Sequence, residues 1–359
     1  MTDTAEKPQR PVTMGDVARA ANVSASTVSH VINNNTNARI GKQARDRVHQ
    51  AVRELGYRPN ALAKTLVTGR SRFLGLVADA IASTPFAGQI IHGAQDEAWR
   101  HGYVLLVANT EGNDDAESDA IAMMLEHKVR GIVYSTWYHH EVQLPAGLTE
   151  TDYVLVNCFA AGSSRAVVPD ETAGGRKATT MLLDQGHRRI GFINTTTPSP
   201  ARRGRLEGYR QALTAAGIRF DAALVIDAQP DQEGGFTAVQ QLLQSKVTAV
   251  FCHNDRVAMG LYDGLREQGL RVPDDLAVVG FDNQEIIAAH LRPPLSTIAL
   301  PHYDMGAAGV RMLLGVDQPA DGQPVAIDCP PVHRHSVAAG RTRPVNTVRA
   351  RRTSPFPKE

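Results

Sequence analysis

VTMGDVARAANVSASTVSHVIN, residues 12–33, carries the signals of two short helices joined by a tight turn. Thr13 is a good helix N-cap, Asp16 stands in a capping-box position after it, and Val12 and Val17 occupy the staple positions. These predict a first helix from about Met14. The same grammar recurs with Ser24 as N-cap, Thr27 after it and Val23 with Val28 as a second staple, leaving Asn22 and Val23 for the turn. The second helix then covers residues 25–32. Its Val28, Val31 and Ile32 share one face, whereas Ala25, Ser26, Ser29 and His30 point elsewhere with small or polar groups. Such a face can press against a DNA duplex, but two capped helices with a short turn also occur in ordinary helical bundles. Spacing by itself leaves both readings open.

Working outward, residues 1–10 are polar and read as a flexible leader. Residues 33–39, NNNTNAR, form a polar turn-prone stretch before a third helix at 42–55, where Ala44, Val48, Ala51, Val52 and Leu55 make a continuous apolar stripe. Gly56 is its stop signal. Residues 1–72 hold twelve Lys or Arg against five Asp or Glu, a local charge near +7 inside a chain whose net charge is +1. Basic charge gathered at one end suggests phosphate contacts. In YRPNALAKTL, residues 57–66, the Arg58-Pro59 step breaks any helix and Asn60 can cap a new, very short one. A lone turn or two is not stable in water, because helix nucleation is costly, so this segment needs a partner to fold.

The first stretch followed by RPNALAKTL resembles the headpiece and hinge of the lactose-repressor (LacI/GalR) family of transcriptional regulators. The resemblance implies a helix-turn-helix headpiece over residues 11–57 and a hinge helix with linker over 58–70. It places Ala25, Ser26 and His30 at base edges in the major groove, with Ser24, Thr27, Ser29 and Asn33 positioning phosphates. His30 departs from the Arg common in the family; an imidazole cannot make the bidentate fork that Arg makes to guanine. In the hinge, the resemblance makes Leu66 an apolar wedge in the minor groove, with Ala63 packed beside it and Asn60 near a phosphate. The plainer account of Leu66 is a linker residue touching the core.

From Phe73 onward, short β-branched runs alternate with helical stretches. Strands are expected at 73–77, 103–107, 131–134, 153–156, 190–193, 224–226, 249–252 and 276–279, with helices between most of them, such as 86–101, 203–216 and 255–268. Such alternation means parallel sheets covered on both faces. The pattern allows one sheet or two. The resemblance, which spans residues 11–340 and is close in 248–283 and 293–314, implies two subdomains of a periplasmic-binding-protein-like α/β core at 71–340, with the chain returning to the first subdomain before a strand near 325–327 closes the second. Residues 341–359, basic and aperiodic, read as a disordered tail.

For an effector, the resemblance singles out Asp282 in GFDN, Arg205 in RLEGY and the Asn254-Asp255 pair, with Phe86 as an apolar wall. A carboxylate, a guanidinium and an amide at strand carboxyl ends can bind the hydroxyls of a sugar-like ligand. Asp255 can instead be a helix cap. A purine effector is disfavoured, since residues 227–235 carry no aromatic to stack on it. AGGRKAT at 173–179 lacks the phosphate-loop spacing and reads as helix, while His139-His140 and His333 with His335 lack acidic or Cys partners nearby and read as exposed histidines. No local motif assembles a catalytic constellation, so no enzyme activity, cofactor or metal is expected.

Cys158, Cys252 and Cys329 are far apart and suggest neither a disulfide framework nor a zinc site. No secretion signal and no run of about eighteen apolar residues is present, which points to the cytoplasm and away from a membrane. The expected partners are a pseudo-palindromic double-stranded operator, a small carbohydrate-like effector and a second copy of the chain in a homodimer. A sugar-transport receptor sharing only the core fold is the alternative, but it leaves the headpiece without purpose.

Overall fold

The computed structural model describes residues 12–33, 38–57, 71–81, 87–318 and 323–339, and its first helices begin and end where their caps dictate. Helix α1 (Met14–Ala21) starts at Thr13, whose hydroxyl accepts the Asp16 amide at 3.3 Å while its own amide donates to Asp16 Oδ2 at 2.9 Å. It stops at Asn22, held at φ 50°, a left-handed conformation that Asn tolerates. Helix α2 (Ala25–Ile32) starts at Ser24, whose hydroxyl accepts the Thr27 amide at 3.1 Å. Helix α3 (Lys42–Leu55) ends at Gly56, φ 61°, where the missing Cβ removes the steric cost. Val17, Ala21, Val28, Val31, Val48 and Ala51 close the core between the three helices. Leu55, expected in the α3 stripe, is instead 37% exposed, and Tyr57 packs at that end. The hinge residues Asn60, Ala63 and Leu66, like Phe86, the leader and the tail, lie outside the described residues.

The chain divides into two compact units at Ser71/Arg72. Among the described residues, the second unit contains two six-stranded sheets. The first begins with β1 (Phe73–Ala78), α4 (Gly88–Arg100), β2 (Val104–Asn109), α5 (Asp114–Glu126), β3 (Ile132–Glu141), β4 (Tyr153–Phe159) and β5 (Ala166–Pro169). The chain then crosses into α6 (Glu171–Leu183), β6 (Ile190–Thr195), α7 (Pro200–Ala215), β7 (Val225–Ala228), α8 (Gln232–Thr237), α9 (Val239–Gln244), β8 (Ala249–Cys252), α10 (Asp255–Glu267), β9 (Ala277–Asp282), α11 (Glu285–Ala288) and β10 (Ser296–Ala299). It returns as α12 (His302–Leu313) and β11 (Val325–Ile327), and crosses once more to β12 (Pro331–Val332).

The sheet orders are β11-β5-β4-β3-β1-β2 and β12-β10-β9-β8-β6-β7, parallel throughout except for the β10/β12 pair. The inner strands of each sheet are buried on both faces, which is why they read as apolar runs without alternation. Leu74, Leu76, Val133 and Val154 pack under α4 and α12, while Val77, Ile132 and Leu155 pack under α5. In the second subdomain α6 and α7 cover one face, with Phe192, Phe251 and Phe281, and α8 to α10 cover the other.

One expected strand changes sheet. Residues 325–327 do not close the second sheet: Val325 pairs with Val167 of β5 in the first. Helix α12 explains this, because it lies along α4 so closely that a Cβ on Gly306 would fall on the Ile90 carbonyl and one on Gly93 on the Tyr303 carbonyl. The chain leaving α12 is therefore already over the first sheet. The second sheet is finished by β12 alone, and β5, β10 and β12 were not expected from the sequence pattern.

Candidate DNA-reading helix and effector cleft

On α2 the caps fix which side chains face outward. Val28 and Val31 are buried, Thr27 and Ser29 are half-buried, and Ser24, Ala25, Ser26, His30 and Asn33 are exposed. Three hydroxyls gather at the helix N-terminus, with Ser24 Oγ 2.8 Å from Ser26 Oγ and 2.9 Å from Thr27 Oγ1. Hydroxyls beside the positive end of a helix dipole suit a phosphate oxygen. Asn33 Nδ2 is 3.4 Å from Ser29 Oγ on the next turn.

In the second unit, the carboxyl ends of the second sheet's strands converge on Arg205 of α7. The side chain is buried, its guanidinium 3.7 Å from the Phe281 ring centroid. Arg205 Nε donates to Glu171 Oε2 at 2.8 Å, and Nη1 donates to the His253 carbonyl and lies 3.6 Å from Asp282 Oδ1. Burial alone would raise Glu171, but the Arg205 charge and hydrogen bond, with His139, hold it down to about 2. Burial pushes Asp282 up to about 6 against the pull of Arg205. The Asp282 backbone sits at φ 101° and Asn283 at φ 54°, both in the left-handed region that L residues rarely adopt. His253 is held well below its usual range, chiefly by burial and then by the Arg205 cation, so it is neutral.

Asp282 also lines a cavity of about 390 Å³ with Gln89, Gln284, His302, Tyr303 and Asp304. Gln89 stands in α4 of the first subdomain and Gln284 in the loop after β9, so the cavity lies between the subdomains, beside two of the crossovers. Gln284 Nε2 donates to Asp282 Oδ2 at 3.0 Å, and Tyr303 Oη donates to Asp96 at 2.9 Å. Burial lowers His302 to about 4.

Of the residues expected at an effector site, the fold brings Arg205 and Asp282 together. Asn254 and Asp255 are adjacent but spent internally. Asn254 is the cap of α10: its Oδ1 accepts the Val257 amide and its Nδ2 donates to the Pro230 carbonyl, each at 2.9 Å. Asp255 is neither the cap nor turned to the cleft; it is wholly buried, accepting Thr297 Oγ1 and the Gln284 amide at 2.7 Å each. Burial, then the Asp282 charge, raise its pKa well above the usual carboxylate range. It braces the loop that presents Asp282. His139, expected at the surface, is half-buried edge-on against Phe159 with Nδ1 3.7 Å from Glu171 Oε1, and so joins the first subdomain to the second. Sequence reasoning missed Glu171, His139, Gln284, His302 and Tyr303. Glu171 had one signal: it follows Asp170, which already caps α6, so no cap needs a second carboxylate.

Three capped helices followed by a two-sheet core with a cleft at its strand ends define a DNA-binding regulator governed by a small molecule. Residues 13–60 match the profile of bacterial regulatory proteins of the lacI family, and residues 179–337 match a periplasmic binding protein-like domain. The chain is 34% identical over 307 residues to the ribose operon repressor of Haemophilus influenzae, covering 84% of this chain and 91% of that protein. It is similar to the lac repressor dimer bound to operator and the anti-inducer ONPF (TM-score 0.75, 26% identity, 92% and 100% covered). It is also similar to a LacI family regulator of Enterococcus faecium with bound ribose (TM-score 0.59, 26% identity, 75% and 100% covered). The chain belongs to the LacI family of transcriptional regulators. Family membership gives the headpiece its purpose and removes the transport-receptor alternative. Among the described residues, no helix is long and apolar enough to cross a membrane.

Proposed function

We propose that this chain is a cytoplasmic, homodimeric repressor that reads a pseudo-palindromic operator and responds to a small sugar-like effector held between the core subdomains. The observation that carries the effector reading is the Arg205–Asp282 pair beside a cavity of about 390 Å³, a volume inside the range of small-molecule sites, roughly 300–1,000 Å³. Arg205 and Asp282 bind the ligand, while Asn254 and Asp255 hold the loops around it. A ribose operon repressor and a ribose-bound regulator among the relatives support a pentose or a similar polyol. On α2, Ala25, Ser26 and His30 face the base edges, and Ser24, Thr27, Ser29 and Asn33 face phosphates, assisted in the hinge by Asn60, Ala63 and Leu66.

A second copy is supported by the edge of the first sheet. Among the described residues strand β2 has no neighbour on one side, and it exposes Val104 (46%) and Val107 (43%). Such an edge is a template for pairing unless covered. Two-fold symmetry then calls for inverted half-sites. Coupling requires the effector to bind one core conformation better than another, because equal binding shifts nothing. Fluorescence anisotropy with a palindromic duplex recovered by in vitro selection, at physiological salt and with or without D-ribose and related sugars, tests this reading. A selected palindrome should bind at least a hundredfold tighter than its scrambled counterpart. Equal affinity for both duplexes sinks the operator reading, and operator affinity unmoved by every sugar sinks the effector reading.

A further inference from the structure

The cleft is unusual in the sign of its charges. Its charged lining residues are Asp282, Glu285 and Asp304, with no Lys or Arg among the described lining residues. Glu285 has a partner in Arg334, at 3.3 Å. The buried cation beneath the cleft, Arg205, is already occupied on its Nε edge by Glu171 and on Nη1 by the His253 carbonyl, with Asp282 close by. Arg202, nearby on the same helix, is tied to Asp227 at 2.8 Å and to the Thr195 carbonyl. Arg256 points its Nε at Gln284 Oε1, 3.3 Å away. His253 and His302 are buried and add no positive charge at neutral pH. An incoming phosphate or carboxylate would therefore meet carboxylates at the wall and a guanidinium already engaged through Nε and Nη1. Neutral hydroxyls meet complementary groups instead: acceptors on Asp282 and Asp304, and the amide of Gln89.

We propose that the cleft is a charge filter that accepts uncharged or amino-bearing polyols and rejects their phosphorylated or acidic counterparts, with Glu171 as the specificity-determining residue because it occupies Arg205. The inference rests on the effector reading given above and narrows its ligand class. Glu171 acts from beneath the cleft. Its carboxylate is held ionised by Arg205 and faces His139 across the subdomain boundary, so it takes the Nε edge of the guanidinium, offsets its positive charge and adds negative potential.

The test uses the full chain and matched probes: D-ribose with ribose 5-phosphate, D-glucose with glucose 6-phosphate and with D-glucosamine, and cellobiose, each measured by thermal shift and calorimetric titration. The filter predicts that at least one neutral or amino sugar binds, and that its phosphorylated partner binds at least tenfold more weakly. A phosphate that binds as tightly as its parent sugar overturns the filter but leaves the sugar-effector reading standing. If no probe of either kind binds, both fall, a distinct result. Glu171→Gln, which keeps a hydrogen-bond acceptor beside Arg205, should narrow the ratio of parent-sugar to phosphate affinity at least tenfold, whichever way the parent sugar's own affinity moves. Equal weakening of both would show Glu171 to be structural and would also overturn its assignment. Should Glu171→Gln fail to fold, the exposed Asp304→Asn gives the same readout, with discrimination against phosphate expected to narrow by at least twofold; unchanged discrimination counts against the filter.

Discussion

At Asp282 the backbone is held at φ 101° while the carboxyl lies between Gln284 and Arg205. Burial raises that carboxyl from 3.8 to about 6. The folded state therefore holds the proton more tightly than the unfolded chain, so this group's contribution to stability is fully present below pH 3.8 and is lost as the pH rises through about 6. The difference corresponds to at most about 3 kcal/mol. Asp282→Asn should melt higher than wild type at pH 7.5, with the two curves converging near pH 4, and should lose effector affinity. A melting difference that does not change with pH would refute the protonation account. On the headpiece, His30→Arg should shift operator preference toward guanine at one step of each half-site, read by selection from a randomised duplex pool; an unchanged preference would show that this position does not read bases. Arg205 and Asp282 were legible in the sequence because they stand in recognisable motifs. Glu171 and His139 were not, because contacts between residues distant in the sequence leave no local pattern. Asp255 misled for the converse reason: its motif announced a polar role without revealing that both carboxylate oxygens are used inside the fold.

Helices α6 and α7 meet through bare backbone. A Cβ on Gly208 would fall on the Thr172 carbonyl and the Arg176 amide, and one on Gly175 would strike the Arg205 backbone. That close approach brings Glu171 and Arg205 within 2.8 Å of each other. Gly208→Ala should therefore force the helices apart, costing about 1–3 kcal/mol by overpacking. Urea unfolding measures the cost, and calorimetry should show effector affinity falling with it; a variant as stable as wild type with intact binding would mean that the helices can shift without moving the ion pair. The boundaries of α1 to α3 were legible because caps are local chemistry, repeated at Thr13, Ser24 and Gly56. Strands β5, β10 and β12 were not, and length is not the reason, since β7, β8 and β11 are as short: β5 follows β4 with no helix between them to mark it, β10 follows a helix of only four residues, and β12 is two residues beginning with a proline. Strand β11 shows a different limit: its apolar pattern suits a buried strand in either sheet, and only the docking of α12 on α4 decides which.

For the whole molecule, alternating strands and helices gave a parallel α/β core, whereas the division into two sheets came from resemblance and not from periodicity. The dimerisation proposed through β2 belongs to this scale. Val107→Glu places a charge on the exposed sheet edge and should shift the protein toward monomer in sedimentation velocity, weaken operator binding at least tenfold and leave effector affinity unchanged; a variant that stays dimeric would place the interface elsewhere. The closing strands have a further consequence, for the order in which the protein is made. Residues 325–327 finish the first sheet, residues 331–332 the second, and the Ala338 carbonyl is tied to His187 at 3.0 Å. A ribosome must release nearly all of the described chain before either sheet can close, whereas the last headpiece helix ends at residue 55. A message cut short between those points encodes a polypeptide with its operator-facing helices in place and no finished core with which to answer a metabolite.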